Sequence, residues 1–196
     1  MSESKAYKYL KKRVKRLENK YDFKERITGP THDQIDDLRA FELLCHAELE
    51  VYFESVALHI VEKSKKKWDR YHSADYNLAS LFLSSDPIQN RKLTITTYTA
   101  QILLKYQQRV RCNNGIKREN LRRLYEPLGF KVSDFDQELL NNLDSLGSQR
   151  GEFAHQSFKT ISIQSKRDIF KRIDDIIEEI ASFENSIDTY TTKLNR

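Results

Sequence analysis

Apolar residues along this chain recur at steps of three and four, and the pattern divides it into helices separated by short polar breaks. The first predicted helix runs from about Ser4 to Phe23, with Ala6, Leu10, Val14, Leu17 and Tyr21 on one narrow stripe. Gly29-Pro30 then punctuates the chain. Thr31 and Gln34 form a capping-box pattern, since a hydroxyl and an amide three residues apart can each satisfy the other's free backbone N–H. The helix they open is predicted to reach about Tyr71. Its apolar stripe is Ile35, Leu38, Phe41, Cys45, Leu49, Tyr52, Val56 and Ile60. Opposite lies a polar row of Arg39, Glu42, His46, Glu50 and Glu54, and the Lys63 to Lys67 run reads as a solvated end.

Asp75 to Ser84 reads as a short helix closed by Asp86-Pro87. Thr94 to Arg111 reads as a longer one, although its β-branched start (Thr94, Ile95, Thr96, Thr97) has strand-like propensity. Asn113-Asn114-Gly115 is a helix stop and turn. A helix over Lys117 to Tyr125 ends at Pro127 and Gly129. Ser133 and Asp134 are placed to cap the next, which carries Leu139, Leu140, Leu143 and Leu146 and is interrupted at Gly147. The last runs from about Gln164 to Leu194 on a stripe of Ile169, Ile173, Ile176, Ile177, Ile180, Phe183, Ile187 and Tyr190. The expected fold is all-α, an up-and-down helical bundle with long second and last helices. Residues 1–30 are set apart as a basic N-terminal helix or extension, and 31–196 as the helical domain.

Composition sharpens this picture. Only 5 Gly and 3 Pro in 196 residues leave too few turn-formers for an all-β sandwich. No run approaches the roughly 18 apolar residues of a membrane span. Met1 to Leu10 lacks the apolar core of a secretion signal, so a cytoplasmic protein is expected. Cys45 and Cys112 have no metal-like spacing and make no disulfide scaffold. The net charge of +5 is unevenly placed: residues 1–30 hold ten Lys/Arg and four acids, against 24 and 25 in the rest. Lys11, Lys12, Arg13, Lys15 and Arg16 are therefore the candidates for neutralising nucleic-acid phosphates. The plainer alternative is a solvated helix face that happens to be basic.

No phosphate-cradling Gly-rich loop, Cys-x-x-Cys pair, helical His-Glu-x-x-His or Gly-x-Ser-x-Gly elbow occurs, which argues against common NTPase, zinc and hydrolase folds. Arg150 and His155 are the pair that suits chemistry. RNA is cleaved without a metal when its 2′-hydroxyl attacks the adjacent phosphorus. That needs an acid or base titrating near neutrality, which histidine supplies. It also needs a fixed cation on the pentavalent phosphorus, and the arginine fork fits phosphate oxygens. On an ideal helix a five-residue step turns roughly 140° and rises roughly 7.5 Å. The two side chains then meet within one chain only if the helix bends or Arg150 reaches around; a second copy relieves the difficulty.

The segment Leu143 to Phe158, LDSLGSQRGEFAHQSF, resembles the Arg-x4-6-His motif of the HEPN superfamily. Leu44 to Val61, LCHAELEVYFESVALHIV, resembles the long helix near the start of that fold. The likeness is strongest to RiboL-PSP-like HEPN proteins and covers about residues 31–190. It implies a dimerising helical bundle with two motifs facing each other across a cleft. It also implies a metal-independent endoribonuclease, without cofactor, of the toxin–antitoxin or anti-phage kind, acting on RNA and restrained by an antitoxin or regulatory protein. His155 would be the general acid or base, and Arg150 the phosphate ligand. Gly151 departs from the polar residue often found after the arginine, and Glu152 is a candidate replacement.

His46, Glu50 and Glu54 lie four residues apart on one helix face, placed to support the arginine or a cation, or simply to face water. Trp68, Tyr71 and Tyr76 stand near the basic run and read as stacking platforms or as core and rim residues. Two non-enzymatic readings stand beside the ribonuclease. One is a non-catalytic HEPN-like module that binds nucleic acid or a partner protein. The other is a dimerisation scaffold built on the isoleucine stripe of the last helix.

Overall fold

The computed structural model describes residues 3–24, 30–85, 94–155 and 165–194, with backbone alone for 152–155 and 190–194. Among them it has seven α-helices and no strand: α1 (Lys5–Tyr21), α2 (His32–Tyr71), α3 (Tyr76–Leu83), α4 (Ile95–Arg111), α5 (Arg118–Tyr125), α6 (Gln137–His155) and α7 (Lys166–Leu194). Two 3₁₀ turns, Glu126–Leu128 and Val132–Asp134, join α5 to α6. The all-α bundle with long second and last helices is what the periodicity predicts. Asp86-Pro87 and Gly29 lie outside the described residues.

The ends of the helices follow from local chemistry. Thr31 Oγ1 accepts from Gln34 N at 3.3 Å, and Gln34 Oε1 accepts from Thr31 N at 2.9 Å, completing the capping box of α2. The β-branched start of α4 is helical because Thr94 caps Thr97 N and the Thr99 hydroxyl donates to the Ile95 carbonyl at 2.8 Å. The cap of α6 lies later than the sequence suggests. Asp136 accepts from Glu138 N at 2.8 Å, while Ser133 and Asp134 belong to the preceding 3₁₀ turn.

A second correction concerns Gly147, which does not interrupt α6: the helix runs unbroken to His155. A Cβ at Gly147 would stand 2.7 Å from Lys117 Cγ, so the missing side chain lets α6 lie against the turn before α5. Asp144 of α6 supplies the cap that α5 lacks locally, accepting from Arg118 N at 2.7 Å. Gly151 has no such role, since a Cβ there would meet nothing within 4 Å. Gly151→Ala is therefore expected to stabilise the protein by about 0.5–1 kcal/mol, since helical glycine is entropically costly. Thermal unfolding measures this, and a melting temperature below wild type would show that the position is constrained after all.

The long α2 packs against α1, α3, α4, α5, α6 and α7. Where α2 meets α5 and α7, Phe53, Tyr125, Phe135 and Phe183 pack edge to face, with Tyr125–Phe183 centroids 5.4 Å apart. The Tyr125 hydroxyl, fully buried, donates to the Phe53 carbonyl at 2.8 Å. Along α7, Ile169, Ile173, Ile176, Ile180, Phe183 and Ile187 are buried in the same core, with Ile177 partly buried against it, so most of the stripe that a scaffold on the last helix would use is already occupied. α1 joins this core through Tyr7, Leu10, Val14 and Leu17, and the Tyr7 hydroxyl donates to the Ile177 carbonyl at 2.7 Å. No described helix is long and apolar enough to cross a membrane.

Candidate functional site

The polar row of α2 is not a solvated face. Glu42 is 3% exposed and His46 2%, because α6 and α7 close over this side of the helix. The Glu42 carboxylate pairs with Arg172 of α7. Further along, Glu50 and Glu54 meet the turn between α4 and α5. Glu50 Oε1 accepts from Gly115 N at 2.6 Å, and Glu54 Oε1 accepts from Asn113 Nδ2 at 3.1 Å. Asn113 is held in turn by Gly115 O at 3.0 Å and Asn120 Nδ2 at 3.4 Å. Gly115 has φ +141°, a conformation that side chains rarely adopt, and this aims its N–H at Glu50.

Arg150 enters this cluster from α6. Its Nη2 donates to Asn114 Oδ1 at 3.1 Å, and its Nη1 stands 3.8 Å from Glu50 Oε2. The Glu50 carboxylate thus faces the arginine with one oxygen while the backbone of the turn fixes the other. About 39% of the Arg150 side chain remains exposed, so the guanidinium is held without being buried. This leaves donors on the fork free for an incoming anion.

His46 stands with Nδ1 3.7 Å from Glu50 Oε2, too far for a hydrogen bond. Burial, helped by the positive charge of Arg150, lowers its pKa to about 4. The imidazole is therefore neutral near pH 7 and does not compete with the arginine as a cation for Glu50. Glu54 is shifted upward, chiefly by burial. Among the described residues no group of His, Cys, Asp and Glu converges as metal ligands. The acids of the row face the arginine and the asparagine turn instead of one another.

Of the other sequence candidates, the side chains of Glu152 and His155 lie outside the described residues; the backbone places both on the unbroken last turn of α6. The basic residues of α1 are divided. Arg13 bonds Glu48 through Nε at 2.9 Å and Nη2 at 2.7 Å, Lys15 bonds Glu18 at 2.7 Å, and Lys11 pairs with Glu3. Lys12 and Arg16 are exposed. Trp68 packs against Phe82, Tyr76 donates to the Gly129 carbonyl at 3.2 Å, and Tyr71 is exposed. Asn113, Asn114 and Gly115, read from sequence only as a helix stop, turn out to hold the arginine. Two amides beside a glycine are more hydrogen-bonding capacity than a stop requires, and that is the signal they carried.

A model of the RiboL-PSP-HEPN family matches residues 8–189, from the fourth residue of α1 to five residues short of the end of α7. Comparisons with curated proteins and with solved structures returned no significant match. With nearly its whole length matched, this chain belongs to the RiboL-PSP-HEPN family.

Proposed function

We propose that the protein is a metal-independent endoribonuclease of the HEPN type, acting as a homodimer with a site composed from two chains. The observation that carries this reading is the state of Arg150, anchored by Asn114 and Glu50 yet open to solvent on the α6 surface. Such a guanidinium is prepared to bind a phosphodiester and the extra charge that develops on it. The 2′-hydroxyl of the RNA attacks the adjacent phosphorus, its proton leaving to a base. The bond to the 5′-oxygen breaks as that oxygen takes up a proton. The products are a 2′,3′-cyclic phosphate and a 5′-hydroxyl end. His155 serves as the titrating group in this exchange.

The unbroken course of α6 supports a composite site. His155 follows Arg150 by five residues, so its Cβ leaves the helix roughly 140° away around the axis. A histidine from the partner reaches the anchored arginine without that penalty. A nuclease of this kind needs restraint, and an antitoxin or regulatory protein in a toxin–antitoxin or phage-defence setting would supply it.

Mixed RNAs incubated with the protein in excess EDTA test the reading. Wild type is expected to cut and leave cyclic phosphate ends, and His155→Ala to leave the RNA intact. Equal cleavage by the variant, or intact RNA with wild type, would refute it. A second reading, a non-catalytic module binding nucleic acid or a partner protein, is favoured by one observation: Gly151 leaves open space beside Arg150 where a polar side chain would contact a ligand. It predicts salt-sensitive RNA binding, unaffected by His155→Ala, with no cleavage.

A further inference from the structure

We propose that the turn leading into α5 holds a second phosphate site, in which Lys117 binds the RNA phosphate next to the one at Arg150. The proposal rests on the reading of Arg150 as a phosphate ligand and adds where the strand runs from it.

Two segments carry the positive charge of this chain. One is residues 1–30. The other is Arg109 to Arg123, where six Lys/Arg stand against the single acid Glu119. Outside both, acids outnumber bases by 24 to 18, so a polyanion has two places to settle. The contacts of α2 decide between them. Glu48 is bonded by Arg13 of α1 while Glu50 faces Arg150, and the two carboxylates leave α2 roughly 200° apart. α1 therefore lies across α2 from Arg150, whereas the turn of the second segment touches it.

Residues 114–117 run back along α6 from that contact. Asn114 accepts from Arg150, and Lys117 lies on Gly147, its Cε 3.2 Å from where a Cβ would stand. Gly147 and Arg150 are three residues apart on one face of α6, which sets their Cβ positions roughly 5–6 Å apart. Successive phosphates on one strand are separated by about that much. Lys117 is exposed and has no carboxylate partner among the described residues. Its neighbours differ: Arg118 is paired with Asp144, and Arg122 with Glu119 and Glu126. The missing side chain at Gly147 lets the lysine stem lie along the helix, so its ammonium emerges one turn from the guanidinium. The two cations then divide the work. The arginine fork meets the phosphate that reacts, while a point charge on the next phosphate binds substrate and transition state alike.

Fluorescence anisotropy of a labelled single-stranded RNA, titrated with the full chain over a range of salt, tests this. All chains carry His155→Ala, so that nothing is cut. Adding Lys117→Ala is expected to weaken binding about tenfold and to lower the slope of log affinity against log salt by about 0.7, the share of one phosphate. Lys117→Arg should keep both affinity and slope. Lys131→Ala, an equal loss of charge before the 3₁₀ turn at the other end of α6, should leave the slope unchanged. A Lys117→Ala chain with unaltered affinity and slope would overturn the proposal, as would an equal fall in slope with Lys131→Ala. So would a loss that follows Lys12→Ala with Arg16→Ala instead, or a chain that binds no RNA before Lys117 is changed. Binding is read without cleavage, so the two ideas fail separately. RNA left intact by wild type while the Lys117 effect is present refutes only the nuclease. Cleavage by wild type with no Lys117 effect on binding refutes only this site.

Discussion

Replacing Arg150 with alanine is expected to slow RNA cleavage about 10²–10³-fold, equivalent to ~3–4 kcal/mol of lost transition-state stabilisation. The fold should be unaffected. The side chain is well exposed, its contact with Glu50 is a long 3.8 Å, and its one short bond goes to Asn114. Arg150→Lys should recover only part of the loss, because an ammonium keeps the charge but not the planar fork that spans two phosphate oxygens. The sharper measurement is complementation. If Arg150 of one chain works with His155 of the other, exchanging Arg150→Ala chains with His155→Ala chains makes heterodimers with one intact site and one doubly impaired site. An equal mixture should then regain about a quarter of wild-type activity, since half the dimers are mixed and each carries one good site. A mixture as inactive as its components would place both groups in the same chain. Undiminished cleavage by Arg150→Ala would remove the arginine from the reaction altogether.

The second large effect is on stability. Arg172→Met should cost about 3–5 kcal/mol near neutral pH, because it strands the Glu42 carboxylate in a site that is almost fully enclosed. Exchanging both residues for apolar ones of similar size should recover most of that loss, as the desolvation cost of the pair disappears along with its attraction. The variant's deficit also carries a pH signature. Burial already holds the Glu42 carboxyl up at about 6 against the pull of Arg172, and without that pull it rises further. An acid whose pKa is raised by folding adds stability below its unfolded value, near 4.5, and loses it as pH climbs through the folded one. The gap between Arg172→Met and wild type should therefore be widest at pH 8 and narrow towards pH 5. Urea midpoints at the two pH values measure it, and an equal gap at both would mean that Glu42 is not the group responsible.

The pair behind this prediction also marks where the sequence misleads. Arg39, Glu42, His46, Glu50 and Glu54 flank the main stripe of α2, turned roughly 100° from it, and a polar row there ordinarily faces water. Here α2 is the central helix, so the polar row is covered along with the stripe, and the face carrying Leu44 and Val51 is the one left outside. A single-helix pattern cannot reveal that α7 arrives with Arg172, or that the 113–115 turn arrives with amides, because both come from distant parts of the chain. The unbroken α6 has a similar origin. Glycine within a helix is penalised locally, yet at Gly147 the close approach of Lys117 turns the missing side chain into a packing advantage.

What the sequence determined by itself is nearly the whole secondary structure and the family. Those depend on short-range information: the three- and four-residue period, the Thr31–Gln34 cap, and a motif of six consecutive residues. Tertiary structure alone decided which α2 residues are buried and how Arg150 is held. It also decided that the apolar surface left on the outside belongs to α2 and not to α7. The reason is that burial is a property of pairs of helices. Two stripes can look alike in sequence, and only the packing order determines that Ile173 and Ile180 lie in the core while Leu44 and Val51 remain at the surface.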